Sequence, residues 1–196
     1  PVKEAVLSEQ LGISRAPIRE ALQVLVQEGL ITSEPQKGKH VRQMTGKEIY
    51  DSYVVAGILE GAGVAESLPL WTEANMETFR SVVRQMEGKI SYATKLDELA
   101  EIDELFHATL FMACDNTRLV EMARTSCATI SKYLYYQHWI TMFTPREYAD
   151  RHHAVAEAVY SRDVKHVETA LRDHYKETGL LCPSKTNYST HFIFIS

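Results

Sequence analysis

Cysteine is scarce: Cys114, Cys127 and Cys182 lie scattered through 196 residues, none in a C-x-x-C spacing, and the chain carries no signal peptide. That excludes a disulfide framework and reads as a reduced, cytoplasmic protein. Long apolar runs are missing as well, and Phe192-Ile193-Phe194-Ile195 is far too short to span a bilayer, so no membrane partner is expected. Positive charge is also in short supply. A formal net charge of -5 excludes a protein that coats nucleic acid without regard to sequence, but leaves room for a locally basic module. Up to Gly46, six Lys or Arg face five Asp or Glu, so the acidity belongs to the remainder and nucleic-acid contact depends on where a few arginines sit. Internal repeats and low-complexity tracts are absent. What remains has 45% hydrophobic residues, enough to bury a proper core in one mid-sized domain beside a small one.

The small domain occupies residues 1–44. Gly12 to Leu30, GISRAPIREALQVLVQEGL, has the pattern of the second half of a helix-turn-helix. Gly12 can take the left-handed conformation that ends a preceding helix, Ser14 can cap the next one, and Leu22, Leu25 and Val26 recur on one helical face. Arg15 and Arg19 lie a helical turn apart near the N-terminal end, where a recognition helix enters a major groove. Before them, Lys3 to Leu11 forms a short helix with Val6, Leu7 and Leu11 on one face. After them, Gly29 stops the helix, and Leu30–Glu34 and His40–Gln43 flank a Pro35-Gln36-Lys37-Gly38 turn, the hairpin wing of a winged helix. Lys37, Lys39 and Arg42 put positive charge where a wing meets phosphate. Pro1 opens the chain without a methionine, close to a helix start, so preceding residues, including a supporting first helix, are expected to be missing.

Thr45-Gly46-Lys47-Glu48 is a capping box that opens a helix running to about Ser67 and a second domain over 45–181. Helical periodicity continues over Thr72–Tyr92, Lys95–Ala113, Thr117–Thr141, Pro145–Tyr160 and Asp163–Thr178. Thr144-Pro145-Arg146-Glu147 is a second capping box, with proline at the first helical position. The fold class is therefore mainly α: an N-terminal winged helix-turn-helix with a small β wing, then an all-α bundle, then a tail over 182–196.

Polar residues interrupt the apolar stripes of that bundle. The stripe Leu96, Leu99, Ala100, Phe106, Leu110 also includes Asp103 and His107, four apart and about 5 to 6 Å from each other on one face. Buried unpaired, they would be costly. His152 shares a face with Val155, Ala156 and Val159, and His174 with Val167, Ala170 and Leu171, on two further helices. Asp103, His107, His152 and His174 can thus meet inside a bundle as ligands of a divalent transition metal, with zinc, nickel or manganese all suitable. Taken alone, each histidine reads as a core side chain bonded to a neighbour. His153 points about 100 degrees from His152 and is the weaker ligand. His40, His138, His166 and His191 have no partner spacing, Asn116 reads as a helix cap, and Tyr133, Tyr135, Tyr136 and Trp139 read as packing or dimer contacts.

Ser14-Arg15-Ala16-Pro17-Ile18-Arg19-Glu20-Ala21-Leu22, Glu28-Gly29-Leu30 and Lys37-Gly38 resemble the winged-helix domain of GntR-family transcriptional regulators. Asp103-Glu104-Leu105-Phe106-His107, Asn116-Thr117-Arg118-Leu119, His152 to Val159, and His174 are similar to the FCD effector-binding domain of the FadR subgroup. The resemblance implies a cytoplasmic homodimer on a palindromic DNA operator. It implies that Ser14, Arg15, Ala16 and Arg19 lie at the DNA from the recognition helix, with Lys37 and Gly38 in the wing at the minor groove. It implies that Asp103, His107, His152 and His174 hold a metal that helps bind a small effector, an organic acid, which changes the spacing of the heads. Ala56 stands where the family often has an arginine four positions before the glutamate matching Glu60, so a common carboxylate-binding charge is absent. The expected function is ligand-responsive transcriptional regulation, with no catalytic residues. The alternative is a metalloenzyme on the same Asp and His site, but Glu104, beside Asp103, should point away and leaves no evident general base.

Overall fold

The computed structural model describes residues 1–128 and 141–181, the side chains at 127 and 128 excepted. The tail, Cys182, Tyr133, Tyr135, Tyr136, His138, Trp139, His191 and the last part of the helix expected to reach Thr141 lie outside the described residues.

Helix α1 spans Glu4–Leu11 and ends at Gly12, whose φ of 65° is the left-handed turn that glycine adopts without strain. Ser14 occupies the N-cap position of α2 (Arg15–Gln27) in extended conformation, but its side chain makes no capping hydrogen bond. The turn is tied instead from the other side, where Ser8 Oγ donates to the Ile13 carbonyl at 2.7 Å. Val6 and Leu11, expected to share an inward face, are exposed, because an eight-residue helix against α2 alone covers little of either. Helix α2 buries Ile18 and Leu22 and closes in a Schellman motif, with Leu30 N–H donating to Leu25 and Gly29 N–H to Val26. Strands β1 (Ile31–Glu34) and β2 (Gly38–Val41) pair antiparallel from Ile31 opposite Val41 to Glu34 opposite Gly38. The second strand starts two residues before the expected His40, because Gln36 and Gly38 both take positive φ and tighten the turn. Val2 bridges to Lys39, adding a fragment of strand that hydropathy did not indicate.

Thr45 caps α3 (Gly46–Ser67) in a complete capping box with Glu48, and Arg42 at the end of the wing reaches the same Glu48 at 3.4 Å. Contrary to the reading that no long apolar run exists, Gly46–Leu70 is long and apolar enough to cross a membrane. About half of it is buried, covering Ile49, Tyr53, Ala56, Val64 and the carboxylate of Glu60, while Val55 and Ile58 stay exposed. The described helices that follow are α4 (Glu73–Ile90), α5 (Ala100–Leu110), α6 (Thr117–Ala128), α7 (Pro145–Ser161) and α8 (Val164–Leu180), of which α6 and α8 pack along α3. Glycines set the closest contact. A Cβ on Gly57 would lie 2.9 Å from Tyr175 Cβ, and one on Gly61 would lie 3.2 Å from the Glu168 carbonyl, so only bare backbone admits α8 at this distance.

The core runs through Phe79, Met86, Leu99, Phe106, Leu110, Val159 and Leu171. Helix α5 is phased differently from expectation, because Leu96–Leu99 is a 3-10 turn and Ala100 begins the α-helix. Three residues per turn at the start advance the following stripe. Ile102 takes the core position, and Asp103 and His107 sit half-buried on its flank.

Candidate functional site

That flank faces a cavity of about 80 Å³ lined by Asp103, His107, His152 and His174, with Tyr148, Arg151 and Tyr175 among its walls. The three imidazoles each offer a ligand atom, all within 4.8 Å of one another. Asp103 Oδ1 lies 3.1 Å from His152 Nε2 and 3.9 Å from His107 Nε2. All four residues singled out by their polar character on apolar stripes therefore meet in one place. His153 does not join them, and its Nε2 lies 3.2 Å from Glu87 on α4.

Two of the three imidazoles are oriented from behind. His152 Nδ1 lies 2.8 Å from the Tyr148 carbonyl, which can only accept, so that nitrogen carries the proton and Nε2 faces the cavity. His107 Nδ1 donates to Glu60 Oε1 at 2.7 Å, and Tyr175 donates its hydroxyl to Glu60 Oε2 at 2.5 Å. Sequence reasoning missed this role of Glu60, although a lone carboxylate among Tyr53, Ala56, Gly57, Gly61 and Val64 on α3 is the same kind of anomaly that exposed Asp103. Tyr148 and Tyr175 gave no such signal, since a tyrosine on a core stripe is ordinary. Arg151 donates to Glu177, to Thr178 and to the His174 carbonyl, and lies over the Phe143 ring, so its guanidinium is bonded within its own wall.

The electrostatics divide the imidazoles. Burial works against a charged His107, but the adjoining Glu60, helped by Asp103, outweighs it and raises His107 to about 9. Burial holds His152 below the usual histidine range despite Asp103, and it holds His174 well below, aided by the neighbouring His152, His107 and Arg151. Burial alone would raise Asp103, but hydrogen bonding from His152, the charges of His107 and His152, and the Tyr148 hydroxyl lower it.

This arrangement can be tested against a metal. His152 Nε2 and Asp103 Oδ1 lie 3.1 Å apart, a hydrogen bond that a metal ion taking both atoms as ligands would replace. His174 Nδ1 is buried with no hydrogen-bond partner. Three imidazoles and a carboxylate, backed by a carbonyl and a carboxylate, suit a first-row divalent ion. Ligand atoms on an ion with bonds of about 2.1 Å stand at most about 4.2 Å apart, so imidazoles whose ligand atoms lie within 4.8 Å of one another would draw together slightly to hold one.

The nucleic-acid side is built on α2 and the hairpin. Ser14, Arg15, Ala16 and Arg19 are exposed at the N-terminal end of α2. Lys37 and Gly38 are exposed at the hairpin turn, Lys37 paired with Glu34 at 2.7 Å and Gly38 at a φ of 82°. Arg19 is not free in solvent but is bonded to Glu4 at 3.1 Å, a pairing that residue spacing did not reveal.

Comparison with known proteins meets this division. A family model described as "FCD domain" matches residues 51–177, and another described as "Bacterial regulatory proteins, gntR family" matches residues 1–41. The HTH-type transcriptional repressor RspR of Escherichia coli K12 is 26% identical over 180 residues, covering 90% of this chain and 77% of its own. The Nta operon transcriptional regulator of Aminobacter aminovorans is 28% identical over 153 residues, 77% of this chain and 69% of its own. Among solved structures, E. coli McbR/YncC superposes with a TM-score of 0.71 at 19% identity over 92% of this chain and 85% of that one, a likeness of fold. The matched domains and relatives are regulators rather than enzymes, which does not favour the metalloenzyme alternative. With an exposed arginine helix and wing at one end and a polar cavity inside the helices at the other, the chain belongs to the gntR family of bacterial regulatory proteins, carries an FCD domain, and is a DNA-binding transcriptional regulator.

Proposed function

We propose that the chain acts in the cytoplasm as a homodimer whose heads, residues 1–44, read the two halves of a palindromic operator. In this reading the bundle, residues 45–181, binds a small organic acid at a divalent metal, and that binding sets how far apart the heads stand. The convergence of His107, His152 and His174, whose ligand atoms all lie within 4.8 Å of one another with Asp103 Oδ1 3.1 Å from His152 Nε2, carries the metal assignment. Asp103, His107, His152 and His174 would hold it, and zinc, nickel and manganese all accept that donor set. When bound, the ion supplies positive charge that attracts a carboxylate. Arg151, committed to Glu177, Thr178 and the His174 carbonyl, contributes rigidity to the wall. A cavity of about 80 Å³ suits an acid of a few heavy atoms. On the DNA side, Arg15 and Arg19 contact base edges and phosphates in the major groove, Ser14 and Ala16 lie against the backbone, and Lys37 and Gly38 follow the minor groove.

Elemental analysis of protein purified without added metal tests the first half. About one ion per chain is expected, and none in the His152→Ala, His174→Ala double variant. A metal content unchanged by that double substitution rules these ligands out. Selection from a random duplex library tests the second half, and recovery of no two-fold sequence ends the operator reading.

A further inference from the structure

Glu4, in the first turn of α1, gathers cations from two other elements. Arg19 of α2 donates through Nε and Nη2 to Oε2 at 3.2 and 3.1 Å, and Lys39 of β2 donates through Nζ to Oε1 at 3.0 Å. The pairing is fixed at the backbone too, because Val2 N–H donates to the Lys39 carbonyl at 2.7 Å. Glu4 and Lys39 have side chains 24% and 21% exposed, whereas Arg19 is 64% exposed, so the arginine forms the outer layer over a half-covered carboxylate. Two positive charges around one negative charge leave a net positive surface there.

A guanidinium has five N–H donors in a planar fork. Glu4 engages Nε and Nη2, the side nearest the stem, and leaves the Nη1 donors and the second Nη2 donor to face outward. That outer edge is the one that can form two parallel bonds to a guanine. An unheld arginine at the same place can rotate to whichever phosphate lies nearest, and Lys39 can do likewise, which strengthens binding to every sequence alike.

We propose that Glu4 is a positioning residue for DNA readout, acting through Arg19 and Lys39 to favour sequence selectivity over general affinity. This rests on the reading of α2 as the element that enters the major groove.

The test uses the full chain, with Glu4→Gln, which keeps the side-chain length and an acceptor but removes the charge, and Glu4→Ala. The probes are a pool of duplexes selected by the wild-type chain from a random library, and unselected random duplex. With Glu4→Gln, affinity for random duplex should rise by about threefold or more, and the salt dependence should steepen by about one unit of log-log slope as a freed cation finds a phosphate. The ratio of selected to random affinity should fall on the order of tenfold. The same substitution in an Arg19→Ala background should leave the ratio unchanged, since the arginine it acts through is gone. Equal weakening on both probes with a lowered melting temperature would make Glu4 a fold clamp and overturn the proposal. An unchanged ratio and slope would overturn it as well, leaving the operator reading intact. If the wild-type chain enriches no sequence, the operator reading and this proposal fall together.

Discussion

The head and the bundle use their sequence differently. The head's buried cluster is Ile18, Leu22 and Ile31, supported by half-buried Val2, Leu7, Leu25 and Val26, and its shape depends on local devices such as the left-handed Gly12, the Schellman turn at Gly29 and the Glu4 pairings. The bundle buries a continuous aromatic and aliphatic core from Trp71 through Phe79 and Phe106 to Leu171. A segment of this small size buries a smaller share of its surface than the larger bundle does, so its margin of stability is narrower. The difference explains where unfavourable chemistry is stored. Buried Glu60, His152 and an unpartnered His174 Nδ1 all sit in the bundle. The head keeps its charges exposed or paired at the surface.

The largest expected effect lies at the centre of the larger core. Phe106, fully buried between Phe79 and His152, should cost about 3–5 kcal/mol when replaced by alanine. Denaturant unfolding followed by helical signal measures this, and a loss below about 1 kcal/mol would show that the core is not continuous there. Leu22→Ala removes about 2–5 kcal/mol from a much smaller reserve. Amide protection over residues 15–41 should collapse and DNA binding with it, while the bundle's unfolding midpoint stays in place. A shared loss in both regions would mean that head and bundle unfold together.

Much of this division was legible in the sequence because its signals are local. Thr45 with Glu48 and Thr144 with Glu147 both form the capping boxes that their spacing announced, and the helices begin at Gly46 and Pro145. Asp103, His107, His152 and His174 stood out because polar side chains on core stripes need partners. The partners themselves were hidden. Glu60 reaches His107 across 47 residues, and Tyr175 reaches Glu60 across 115, contacts that depend on glycines letting α8 approach α3. The 3-10 start of α5 was hidden as well, since leucines three apart at 96 and 99 share a face in a 3-10 turn and in an α-helix alike.

The smallest effect is a matter of pH and concerns the bundle alone. His107 is raised from 6.5 to about 9. In metal-free protein its favourable pairing with Glu60 is therefore fully present below 6.5 and lost as pH rises through 9. His152 and His174, held low by burial, act in the opposite sense, so their penalty grows as pH falls below 6.5. The melting temperature of metal-free protein should peak near neutrality and decline toward pH 9, and Glu60→Gln should flatten the alkaline decline. A decline that survives Glu60→Gln would assign it to another group.

The close passage at Gly57 and Gly61 has a mechanical consequence. Helix α3 is gripped near its middle, beside Glu60, and runs from there to Thr45 at the base of the wing. Fourteen residues at about 1.5 Å each make an arm of about 21 Å, so a tilt of about 5° at the glycines displaces the far end by about 2 Å. Arg42 clasps Glu48 at that far end, and the wing is carried with it. A change in the cavity that tilted this helix without disturbing the core would thus be magnified along a lever whose fulcrum is a pair of glycines.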